Sequence, residues 1–162
     1  MSNQSTINSQ IFDILEGTWK GEGRGQFPGV TSFDYRETLV FTRRDEKTLA
    51  YEQRTQKLYD GGTEYLESHW ENGFLRILEN GELELVSAQI GRSEVLVGSV
   101  ESTNGSFRIH FVSQTITNDP RMVSSVRTFE SEGDTLRYEM EMQTTKVNQL
   151  TLHLKISLQR VK

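Results

Sequence analysis

The sequence contains no cysteine among its 162 residues, which excludes a disulfide framework and any thiolate chemistry. Proline is nearly absent, with two residues, and histidine is scarce, with three. Hydrophobic residues make up only 34%, and the mean hydropathy is −0.58, so neither a buried helical bundle nor a membrane protein is indicated. No apolar run approaches the roughly 20 residues needed to span a bilayer. Met1 to Ser9 are polar and uncharged, without the basic and apolar regions of a secretory signal. Positive charge is also in deficit: 18 Lys and Arg against 23 Asp and Glu leave a net charge of −5. A nucleic-acid backbone would demand the opposite balance. The expectation is therefore a cytoplasmic protein with no membrane and no nucleic-acid partner, long enough for one domain with a full core.

What is present is a period of two. Residues 1–8 read as a disordered lead, after which Ser9 can cap a short helix carrying Ile11, Ile14 and Leu15 and ended by Gly17. Such a helix is too short to stand alone and should pack across a barrel mouth. From Gly17 the alternation begins, with Trp19, Gly21, Gly23 and Gly25 on one face and Thr18, Lys20, Glu22 and Arg24 on the other. Glycines in register there imply tight curvature or the close approach of something large, and they leave room on the inner face. Phe33, Tyr35, Leu39 and Phe41 alternate with polar residues. So do Leu136, Tyr138, Met140 and Met142, and so do Leu150, Leu152, Leu154, Ile156 and Leu158.

Turn signals recur at Asp60-Gly61-Gly62, Glu71-Asn72-Gly73, Glu79-Asn80-Gly81, Thr103-Asn104-Gly105, Asp119-Pro120 and Glu132-Gly133-Asp134. About ten antiparallel strands with one helix make an all-β protein, a sandwich or barrel. Closure into a barrel is favoured because it removes exposed edges.

Few residues can carry chemistry. His110 alternates with Phe107, Ile109 and Phe111 and so faces outward. His153 is flanked by leucines, a setting more often structural than catalytic, and His69 ends a strand. There is no His-x-His pair, no His-Glu-x-x-His helix and no Gly-x-Ser-x-Gly elbow. The Gly21-Glu22-Gly23-Arg24-Gly25 run is followed by Pro28 and another strand, not by the helix that a phosphate loop needs. Glu139 and Glu141 face solvent. An interior lined by Trp19, Tyr35, Phe41, Tyr138, Met140 and Met142 suits an apolar or flat aromatic guest, or these side chains fill each other's space.

The run Gly17-Thr18-Trp19-Lys20-Gly21-Glu22-Gly23 matches the G-x-W-x-G-x-G signature of the nitrobindins. The resemblance continues through Phe27-Pro28, Phe33 to Glu37, His69 to Arg76, Ser87 to Gly91, Met142 to Thr145 and Leu152-His153-Leu154, in family order over most of residues 9–161. It implies an up-and-down antiparallel β-barrel, similar to lipocalins and fatty-acid-binding proteins, with the short helix near its mouth. Residues 9–162 would form one domain holding one heme b. The family's axial iron ligand falls on His153 and its other recurrent histidine on His69. Trp19, Phe27, Gly29 and Met140 become expected pocket neighbours. Family members hold mainly ferric iron, bind nitric oxide and convert peroxynitrite to nitrate.

Two points depart from the pattern. The family threonine after the Phe-Pro pair is Gly29 here, which implies a more open loop. Strict alternation also sets His153 opposite Leu152, Leu154 and Ile156. Ligation then requires a β-bulge near the start of that strand, or leucines packed outward. The competing expectations are a lipocalin-like carrier of a small apolar ligand, and a heme store or nitric-oxide sensor without turnover. Monomer and homodimer are both open.

Overall fold

The computed structural model describes residues 4–58, 62–103 and 105–162. One helix, α1 (Gln4–Leu15), precedes ten strands: β1 (Gly17–Gly25), β2 (Phe33–Asp45), β3 (Thr48–Leu58), β4 (Tyr65–Ile77) and β5 (Leu83–Gln89) form the first half. β6 (Ser93–Thr103), β7 (Ser106–Thr117), β8 (Met122–Glu132), β9 (Thr135–Thr144) and β10 (Val147–Arg160) form the second. Each strand pairs antiparallel with its sequence neighbour, and β10 closes on β1. Closure leaves no open edge, as the low proline content and polar outer faces anticipated.

The helix is longer than its cap signal suggested. It starts at Gln4 rather than after Ser9, so residues 4–8 belong to the helix. The reason is packing. Asn8 is buried and donates from Nδ2 to the Gly81 carbonyl at 2.7 Å, while Ile11, Phe12 and Leu15 lie against the barrel core. The terminal carbonyls of the helix are satisfied by tertiary partners. Trp19 Nε1 donates to Leu15 O at 2.8 Å, Arg160 Nη1 donates to Glu16 O at 2.8 Å, and Arg160 Nη2 donates to Ile14 O. Helix α1 therefore plugs one end of the barrel, above a core that includes Leu39, Phe41, Leu49, Leu83, Ile109 and Leu158.

Three local expectations are corrected. Glu71-Asn72-Gly73 is not a turn; β4 runs straight through it. Gly73 is there for close approach, since a Cβ would fall 1.8 Å from the Val86 carbonyl oxygen and 3.1 Å from the Tyr51 ring. The glycines of β1 do not leave empty room. A Cβ at Gly25 would meet the Phe33 ring at 2.3 Å, and one at Gly23 would meet Ile156 at 2.9 Å. Finally, Leu150 and Leu152 do not share the inner face with Ile156 and Leu158. The turn signals at Asp60-Gly61-Gly62 and Thr103-Asn104-Gly105 lie partly outside the described residues. Among the described residues no helix is long and apolar enough to cross a membrane.

Candidate functional site

The end of the barrel opposite α1 is not filled. One cavity of about 290 Å³ is lined by His69, Gln53, Thr55, Tyr138 and Met140, among others. A second, of about 380 Å³, is lined by His153, Pro28, Val30, Met122 and the turn from Thr144 to Val147. Phe27, Arg92, Asp119, Arg121 and Met142 line both, so the two adjoin.

His153 reaches the second cavity because β10 is bulged. Leu152 pairs with Glu141, and pairing resumes with Leu154 opposite Met140, leaving His153 as the extra residue. A bulge reverses the phase of alternation. Before it Leu150 and Leu152 face outward, 42% and 36% exposed; at it His153 is buried; beyond it Ile156 and Leu158 face inward. The His153 Nδ1 lies 2.6 Å from the Thr151 carbonyl oxygen. That oxygen can only accept, so Nδ1 carries the proton and Nε2 of the neutral ring keeps its lone pair. The Phe27 ring meets the imidazole edge-on, with centroids 5.0 Å apart.

The other expected residues divide. Phe27, His69 and Met140 line the first cavity. Trp19 does not; it sits at the α1 end of β1, under the helix and against the Arg160 guanidinium. Gly29 lines neither cavity, although Pro28 and Val30 beside it do. It occupies the third position of a turn closed by Val30 N donating to Phe27 O at 3.0 Å, with φ +79°. Proline second and a left-handed residue third make a type II turn, so glycine in place of threonine here relieves backbone strain. The aromatic row also splits: Tyr138, Met140 and Met142 line cavity, while Phe41 packs into the closed end. His110 faces outward, with Nδ1 3.3 Å from Thr128 Oγ1.

At the wall of the first cavity, which Glu71 itself lines, begins a buried ionic cluster that the sequence pattern did not reveal. Arg127, from β8, is fully buried and bridges Glu71 on β4 (Nη1 to Oε1, 2.5 Å) and Glu94 on β6 (Nη2 to Oε2, 2.8 Å). Tyr51 donates to Glu71 Oε1 at 2.9 Å and Ser87 at 3.2 Å, while His69 Nε2 lies 3.1 Å from Glu71 Oε2. Burial alone would raise the Glu71 pKa. The Arg127 guanidinium, with hydrogen bonds from His69 and Arg127 itself, instead holds it well below the carboxylate range. Glu37, also buried, lies behind the cavity wall beside Gln53 and Thr55, and burial pushes its pKa up to about 8. The signal was available in the register: Glu37 falls between Tyr35 and Leu39 on the inner face of β2, and Glu71 between His69 and Gly73 on β4.

Among the described residues no group of three or more His, Cys, Asp or Glu converges to hold a metal ion. Residues 9–160 match the family described as the THAP4-like, heme-binding β-barrel domain. The chain belongs to this heme-binding β-barrel family. Its relatives include "Peroxynitrite isomerase" of Nocardia farcinica, 35% identical over 90% of this chain and 86% of that one. "Peroxynitrite isomerase 1" of Mycolicibacterium paratuberculosis is 36% identical over 79% of this chain and 80% of its own. Among solved structures, Rv2717c from M. tuberculosis superposes with a TM-score of 0.85 at 29% identity, covering 94% of this chain and 96% of that chain. The nitrobindin resemblance and the closed ten-stranded barrel both hold. As a member of the family the chain is a heme-binding β-barrel.

Proposed function

We propose that residues 9–162 form one domain that holds a single heme b through His153 Nε2 and converts peroxynitrite to nitrate, with nitric oxide binding the same iron. The observation that carries this reading is the bulge in β10. It turns a buried imidazole into a cavity and commits its Nδ1–H to the Thr151 carbonyl, leaving the other nitrogen as a donor of an electron pair. A backbone acceptor on the far nitrogen fixes the tautomer and the ring orientation, as it does in metal sites generally.

The residues present fit a porphyrin. Phe27, Tyr138, Met140 and Met142 supply apolar and aromatic surface for a flat ring. Arg121 and Lys146 line the cavity that His153 borders and suit acidic substituents at its rim. When bound, a ferric porphyrin supplies Lewis acidity toward an oxygen of the anion. The protein's own part is to hold His153 in one tautomer, to exclude bulk water with Phe27 and the methionines, and to keep His69 at the cavity wall. No nucleophile is required of the chain. A sequence without cysteine accords with a cytoplasmic setting.

Titrating purified protein with hemin tests this. A saturable Soret band is expected in the wild type and its loss in His153→Ala; an unchanged spectrum in that variant removes His153 from its role. A wild type that gives no such band leaves a carrier of another apolar ligand. Stopped-flow decay of peroxynitrite then separates turnover from sensing. Decay no faster with loaded protein than without it leaves only binding.

A further inference from the structure

The buried cluster at the cavity wall has no part in holding a porphyrin, and its composition is costly. Ion pairs taken out of water seldom stabilise a fold relative to apolar residues of the same size. What distinguishes this cluster is where it ends. Arg127 is its hub, and each of its two carboxylates reaches on to a side chain that lines the first cavity. Through Glu71 it reaches His69, at 3.1 Å. Through Glu94 it reaches Arg92, whose Nε lies 2.9 Å from Glu94 Oε1.

The consequences for Arg92 are chemical. Its side chain is only 15% exposed, so its orientation is set by these contacts and not by solvent. Nε lies 2.9 Å from Glu94 Oε1 as an ion pair without a hydrogen bond between the two atoms, and Nη2 has the weak acceptor Met142 Sδ, at 3.5 Å. Arg92 lines both cavities, so a planar guanidinium with spare N–H groups borders them. Two carboxylates line the first cavity beside it: Asp119, which Arg121 grips with two bonds of 2.8 and 3.0 Å, and Glu71, which Arg127 holds. Across Glu71, His69 is fixed in a complementary way. An ionised carboxylate only accepts, so Nε2 of His69 carries a proton toward it and Nδ1 is the nitrogen left over. The charges of Glu71 and Glu94 are balanced by those of Arg127 and Arg92, so an anion meeting Arg92 does not face uncompensated carboxylates.

We propose that Arg92 is the residue of this cavity that binds a small planar oxyanion of the nitrate class, and that Arg127, acting through Glu94, is the positioning residue that holds Arg92 toward it, with His69 across Glu71 as a neighbouring reporter of the bound anion. The proposal deepens the functional reading by naming what receives the anion, and it rests on that reading only for the anion's identity.

The test uses the protein without heme and sodium nitrate as probe, against sodium chloride at equal ionic strength, with Arg Nε–Hε and histidine ring signals followed by NMR. Nitrate should shift the Arg92 and His69 signals saturably, and Arg92→Gln should abolish the response at His69. Arg127→Lys keeps the charge but cannot bridge both carboxylates, so it should weaken nitrate by about tenfold or more, as losing a charge-assisted contact does. Glu94→Gln, nearly isosteric, should do the same and carries the argument if Arg127→Lys fails to fold. Its Arg92 Nε signal should also move toward that of a solvated guanidinium. A shift that grows linearly and equally with chloride overturns the subsite, as does a His69 response surviving in Arg92→Gln. Wild-type affinity in Glu94→Gln overturns the positioning role. Hemin titration is read separately: nitrate binding without a Soret band sinks the heme reading and keeps the subsite, and the converse result does the reverse.

Discussion

Glu37 shows how much one buried carboxyl can govern. Burial raises its pKa from 4.5 to about 8, with the Gln53 amide pulling downward and the Glu71 charge pushing up. The folded protein therefore binds this proton more tightly than the unfolded chain. Stability linked to Glu37 is fully present below about pH 4.5, falls as the unfolded chain alone loses the proton, and levels off above about pH 8. The loss across that window is on the order of a few kcal/mol. Glu37→Gln keeps the shape and removes the titration. Urea denaturation from pH 5 to 9 should show a flatter profile for the variant and a higher midpoint than wild type at the alkaline end. Parallel profiles would mean that the carboxyl is ionised and paired in the folded state.

At the scale of elements the decisive feature is the irregularity in β10. Deleting Leu152, which is 36% exposed, removes the extra residue, so His153 would pair with Glu141 and turn outward. Far-UV circular dichroism should stay that of a β-barrel, since little packing is lost, while hemin binding should fall to the level of His153→Ala. Retained hemin binding would show that the bulge is not what aims the imidazole. This element also marks the limit of what the sequence discloses. Alternation in β2 and β9 and the turns at Asn80-Gly81 and Gly133 made the barrel readable, because register follows the burial pattern. The need for a bulge near His153 was readable as a conflict between a ligand and its leucine neighbours. Its position was not, because a bulge is settled by what the partner strand can pair. The cluster of Glu71, Glu94 and Arg127 escaped because charged residues on a strand are taken to face water. The helix began early for a related reason: Asn8 is polar in sequence yet buried by its bond to Gly81.

The whole molecule is a barrel with two unlike ends. The end plugged by α1 is packed with apolar side chains. Toward the opening, the lumen is spanned by one guanidinium that ties β8 to β4 and β6. Because burial is complete on all three partners, the cluster is stable only as a unit. Arg127→Met takes the shared counter-charge from two buried carboxylates, leaving Glu94 with Arg92 and Glu71 with His69 alone, which costs about 3–5 kcal/mol. Glu71→Gln and Glu94→Gln added to the same chain remove the orphaned charges while keeping acceptors for Tyr51 and Ser87, so most of that loss should return. The comparison by urea denaturation is a coupling measurement: the triple variant should be more stable than Arg127→Met alone, a sign opposite to additivity. If the triple variant is instead the least stable of the set, the cluster contributes net stability through its hydrogen bonds. Its retention would then follow from the fold, without the cavity entering the argument. If the expected order holds, the barrel keeps a cluster that it could fold without. The remaining constraint on those residues is then the geometry they impose on His69 and Arg92 at the cavity wall.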